Sequence, residues 1–147
     1  MSFLDRYRWL EVIAFVAGLL VCTAGCAAVT TSVSVETLLK TGASWDGTPF
    51  ERYPDAAPEL TVLKITIPPR TALPWHRHPM PNAAYVVSGE LLVETRDGGQ
   101  TIRLVAGDVL PEMVNGVHRG VTGDVPVVLI VFYAGARGLP VSEAPGE

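Results

Sequence analysis

The 147-residue chain contains three histidines, and two of them, His76 and His78, stand one residue apart in the stretch 74–89, PWHRHPMPNAAYVVSG. In an extended chain, side chains two apart point to the same face about 6.6 Å along the strand, so a His-x-His pair can turn both imidazoles toward one point. Read alone, the pair is either two metal ligands in want of partners or two polar surface residues flanked by prolines. The third histidine, His118, follows Asn115-Gly116 about 40 residues on, at another loop-to-strand junction.

The remaining donor types narrow the chemistry. Both cysteines, Cys22 and Cys26, fall in the N-terminal apolar stretch. The rest of the chain therefore has no thiolate ligand and no disulfide, and a metal there must be held by histidine and oxygen. A net charge of −4 and a pI near 5.3 leave no basic patch, which argues against nucleic acid as the main partner.

The apolar stretch 12–29, VIAFVAGLLVCTAGCAAV, carries no charge, follows Arg6 and Arg8 and runs into small residues. That is the n-, h- and c-region layout of a secretory signal. Thr23-Ala24-Gly25-Cys26 resembles a bacterial lipoprotein box, although Thr23 stands where leucine is usual. Its eighteen residues also reach the lower limit of a membrane span. Lipidated leader, cleaved signal and uncleaved anchor all export the domain C-terminal to them, which places the protein in a bacterial cell envelope, held at the membrane by the N-terminal segment or a lipidated Cys26. The expected organisation is a leader over 1–26, a tether over 27–44 running toward a first strand, and a globular domain over 45–147.

The elements that must position the histidines are strands. Residues 60–67, LTVLKITI, alternate around Leu63, Ile65 and Ile67 with Lys64 on the opposite face, and Pro68-Pro69 ends the run. Residues 83–88 and 91–95 form two runs around Gly89-Glu90, Asp97-Gly98-Gly99 turns the chain into 101–104, and Ala106-Gly107-Asp108 is a further tight turn. Residues 125–133, VPVVLIVFY, read as a buried strand. No amphipathic helix of ordinary length is visible after the leader. Short strands with a turn every 8–12 residues predict an all-β sandwich or barrel.

With the strands placed, the spacing resembles the cupin superfamily, in particular its small single-domain members. The first cupin motif runs Gly, five residues, His-x-His, three or four residues, Glu, six residues, Gly. Here His76, His78 and Gly89 fit, with Arg70 at the opening Gly and Asn82 at the Glu. The second runs Gly, five residues, Pro-x-Gly, two residues, His, three residues, Asn. Gly107 and His118 fit, while Met113, Asn115 and Thr122 replace Pro, Gly and Asn. The resemblance covers roughly residues 59–133 and implies a single jelly-roll barrel of two antiparallel sheets. It also implies a mononuclear divalent metal site (Zn, Fe, Mn, Ni or Cu) on His76, His78, His118 and Asn82, and a homodimer.

Asn82 in place of the family's Glu leaves a neutral, weaker oxygen donor and an ion of full charge. Two carboxylates are candidates to fill the gap. Asp108 follows a Gly turn, where Asp ordinarily accepts from local backbone; Glu112, in the segment 110–113, either faces the cavity or is solvated. If it faces inward, Glu112 is the natural general base. Strand parity turns Trp75, Tyr85 and Arg119 outward and Ala84, Val86, Ser88, Gly120 and Thr122 inward. The functional expectation is an exported metal-dependent dioxygenase, isomerase or hydrolase acting on a small molecule. The competing expectations are a non-catalytic binding module and a structural domain of the envelope.

Overall fold

A computed structural model of the chain describes residues 32–146, so the leader, Cys22 and Cys26 lie outside the described residues. Residues 32–42 are exposed throughout and form no strand. The first strand comes later than the tether reading expects: β1 is Pro58–Ile67, followed by β2 Asn82–Ser88, β3 Glu90–Thr95, β4 Thr101–Val105, β5 Val109–Pro111, β6 His118–Thr122 and β7 Val127–Ala136. Among the described residues there is no helix.

The strands make two antiparallel sheets, ordered β1-β7-β2-β5 and β4-β3-β6. Residues 71–78 extend the smaller sheet by running beside β6, with bridges Ala72 to Val121 and His76 to His118. The sheets enclose one core because each strand buries alternate side chains. β7 buries Val127, Leu129, Val131 and Tyr133, β2 buries Ala84 and Val86, and β3 buries Leu91 and Val93. β1 behaves as its alternation predicts, with Ile67 buried and Lys64 exposed.

Two expectations need correction. The run 125–133 is buried on one face only: β7, which begins at Val127, is paired on both edges by β1 and β2, yet Phe132 is exposed on the outer face. Apolar side chains on both faces of a strand do not distinguish a sheet packed on two sides from one packed on one side. Ser88 is exposed rather than inward, because the β2–β7 register shifts between Val86 and Ser88 and the bulge reverses parity.

The turns that close the barrel follow from backbone conformation. Gly89 joins β2 to β3 at φ +84°, where a Cβ would stand 2.3 Å from the Pro126 carbonyl oxygen, so only glycine fits. Arg70 and Asn115, at two of the other cupin glycine positions, keep the conformation without the residue, at φ 52° and 60°. The loop after Ser44 docks on the barrel, with the Trp45 amide donating to the Pro111 carbonyl at 2.9 Å and the indole packing against the core.

Candidate metal centre

His76 and His78 sit on the extended segment beside β6, and His118 opens β6. His76 and His118 face each other as a backbone-bonded pair, each amide donating to the other's carbonyl at 3.0 Å. The three rings converge with centroids 4.7, 4.9 and 5.2 Å apart. One nitrogen from each lies within 4.8 Å of the others. His78 and His118 are buried, at 2% and 3% exposure, whereas His76 is half-buried.

Each ring is oriented by a backbone carbonyl at its Nδ1: Pro74 for His76 at 2.8 Å, Val141 for His78 at 2.6 Å and Gly116 for His118 at 2.9 Å. A carbonyl can only accept, so each neutral ring carries its proton on Nδ1 and presents a lone pair at Nε2. This is the arrangement that metal-bound histidines share.

Glu112 points into the same cavity. It continues β5, its amide donates to the Asn82 carbonyl at 3.1 Å, and its side chain is buried at 8% residue exposure. Oε2 stands 2.6 Å from His78 Nε2 and 3.5 Å from His118 Nε2. The buried Nε2 atoms of His78 and His118 have no donor to accept from, and what they face is another acceptor. Lone pairs this close repel unless a cation lies between them, either a proton or a metal. Ligand atoms bound at about 2.0–2.2 Å stand about 2.8–3.1 Å apart at right angles and about 3.3–3.6 Å apart in a tetrahedron. The 3.5 Å Glu112–His118 separation already fits, and the 2.6 Å Glu112–His78 contact, the length of a proton bridge, needs to open by only a few tenths of an ångström for this donor set to take a divalent metal.

In the metal-free protein a proton takes that place between Glu112 and His78. Burial works against a charged Glu112, but hydrogen bonds and attraction from His118 and His78 outweigh it and hold the carboxyl down at about 2. Burial likewise opposes a charged His78, yet Glu112 raises its pKa above the ordinary value. His76, desolvated and near two other imidazoles, is pushed down and favours the neutral ligand form.

The cavity holds about 60 Å³ and is lined on one side by the three histidines, Glu112 and Tyr133, and elsewhere by aliphatic side chains. Asn82 is not among the lining residues. It is buried opposite Tyr133 on the β2–β7 ladder, its Nδ2 donates to the Met80 carbonyl at 3.4 Å, and its Oδ1 has no partner. Asp108 accepts from the Val105 amide at 2.7 Å and serves the turn. Trp75 and Arg119 stack together away from the site, the guanidinium 4.2 Å above the indole, as parity requires.

Two contributors escaped the sequence reading. Tyr133 lines the cavity with its ring 5.6 Å from His78, and the inward parity of β7 is the signal that would have found it. Burial and the Glu112 charge push its phenol upward, which keeps it a neutral hydrogen-bond donor. The Val141 carbonyl carries no signal in sequence, since any residue supplies one.

Comparison with known proteins accords with this geometry. A search of curated sequences finds no match. The cupin domain family matches residues 63–133. Similar solved structures include a DMSP lyase from Ruegeria pomeroyi, with TM-score 0.53 and 24% identity over 69% of this chain and 49% of that one. A cupin-like protein from Thermotoga maritima gives 0.50 and 23% over 60% and 65%. An oxalate decarboxylase from Lactobacillus farciminis gives 0.50 and 20% over 58% and 26%. The chain thus spans less than two thirds of these proteins, and at such identities they share its fold alone. The two sheets, the paired motifs and the family match together make residues 63–133 a small cupin domain.

Proposed function

We propose that the barrel holds one divalent transition metal through Nε2 of His76, His78 and His118, with Glu112 supplying the carboxylate, and that this centre acts on a small molecule. The observation that carries the reading is the facing of buried acceptors, Glu112 Oε2 against two imidazole lone pairs. When bound, such an ion serves as a Lewis acid or, for a redox metal, supports dioxygen chemistry. The chain's own residues hold the rest of the site: Nδ1–H bonds fix the rings, Tyr133 offers a neutral phenol, and aliphatic side chains line the remainder of the cavity. Asn82 remains the alternative oxygen donor, one strand over. A dioxygenase, isomerase or hydrolase fits this donor set.

The test is elemental analysis of the protein after supplementation with Zn, Fe, Mn, Ni and Cu in turn. About one equivalent of one ion is expected, and less than about 0.2 per chain with every ion contradicts a site that should be one-to-one. A second reading, a non-catalytic module for a metal or small ligand, is favoured by the cavity of about 60 Å³, room for about two waters at ~30 Å³ each. Ligand-induced thermal shifts without turnover of any ligand would support it.

The apolar leader supports export to the bacterial envelope, with the domain tethered at the membrane; loss of membrane partition in Cys26→Ala would identify lipidation as the anchor. Apolar side chains on the outer face of the larger sheet, Leu60, Val62 and Phe132, support a homodimer through that face. Light scattering of Val62→Glu tests this, with a shift to monomer expected.

A further inference from the structure

The three carbonyls that orient the histidines are not equivalent. Pro74 and Gly116 each lie two residues before the ring they hold, so those contacts form whenever the local chain does. Val141, which holds His78, is 63 positions away. The stretch carrying it docks by strand-like pairing: the Arg77 amide donates to the Glu143 carbonyl at 3.0 Å, and the Glu143 amide to the Arg77 carbonyl at 2.9 Å. The Arg77 guanidinium also binds the Glu143 carboxylate at 2.9 Å, and Leu139 and Val141 pack against the core. Arg77 is the middle residue of His-x-His. Its backbone is clamped by residue 143 while its two neighbours face the cavity.

From this, and resting on the metal centre proposed above, we infer that residues 139–146 form a strap whose docking is coupled to metal binding through His78. Docked, the strap fixes the tautomer of His78 and aims Nε2 at Glu112. Released, it leaves Nδ1–H to water and the ring free to turn, and the site loses one oriented ligand. Coupling is reciprocal. A metal on Nε2 makes Nδ1–H a stronger donor to Val141 and therefore holds the strap in place.

The test combines substitution with a measurement on the unaltered protein. Co(II) titrations of Arg77→Glu, Glu143→Arg and the double exchange are compared with the original chain. Each single change should weaken affinity by about 10–100-fold, as loss of a ligand-orienting contact does, and shift the visible cobalt bands; the double exchange should recover most of both. Hydrogen exchange at the Glu143 amide should slow when Zn is added to the unaltered protein. Single variants that bind cobalt with unchanged affinity and spectrum, or a Glu143 amide indifferent to Zn, overturn the strap while leaving the metal centre intact. No metal uptake by the unaltered chain overturns both.

Discussion

Glu112, directly after β5, lies beside Asn82 at the start of β2, joined to it by the amide-to-carbonyl bond between them. The cupin pattern places its carboxylate at the position Asn82 occupies, and here the carboxylate that reaches the histidines comes from the adjacent strand. Asn82 stands outside the cavity lining, but glutamate is one methylene longer than asparagine and extends its carboxylate further, so the charge should be movable. Glu112→Gln keeps the shape and removes the charge, and metal affinity should fall by at least about 10-fold. Adding Asn82→Glu to it should restore much of the loss; isothermal titration of the single and double variants reads both. The metal-free pair also sets a pH signature. His78 is raised, so its stabilisation is complete below about 6.5 and is lost as pH rises through the folded value. Glu112 is lowered, so its contribution is present above about 4.3 and is lost as pH falls toward about 2. The pair's contribution should be largest between about pH 4.5 and 6.5, and subtracting the melting profile of metal-free Glu112→Gln from that of the original chain isolates it from His76, whose lowered pKa works the other way and favours higher pH. Excess metal should raise the pH of greatest stability, because bound ligands must be deprotonated.

At the scale of the element, the turns decide how the motifs are presented. Arg70 and Asn115 adopt positive φ without being glycine, a conformation costing roughly 1–2 kcal/mol in a residue with a Cβ, with Asn the more tolerant of the two. Arg70→Gly should therefore raise stability by up to about 1 kcal/mol, since the Arg70–Asp124 pair it gives up is exposed on both sides. Gly89→Ala should do the reverse and be severely destabilising, because its Cβ would collide with backbone; chemical denaturation compares the two. The strands were legible from alternation and turn residues, as Leu63, Ile65 and Ile67 against Lys64 illustrate. What was not legible was any feature set by pairing at a distance. The bulge after Val86 reverses Ser88, and the docking of residue 143 on Arg77 leaves no periodic pattern, since backbone pairing of an irregular segment is indifferent to its side chains.

At the scale of the molecule, the barrel wall brings together groups separated by tens of residues, and this is why the site was only partly readable. Spacing could unite the three histidines because two motifs share them. It could not choose between Asn82 and Glu112, because that depends on which side of β5 faces the cavity. The account predicts that these groups form a single centre, and anomalous diffraction from metal-loaded crystals tests it most directly. One peak is expected, within bonding distance of Nε2 of His76, His78 and His118 and of a Glu112 carboxylate oxygen. A peak elsewhere, or one that engages the histidines while Glu112 turns away, would contradict it.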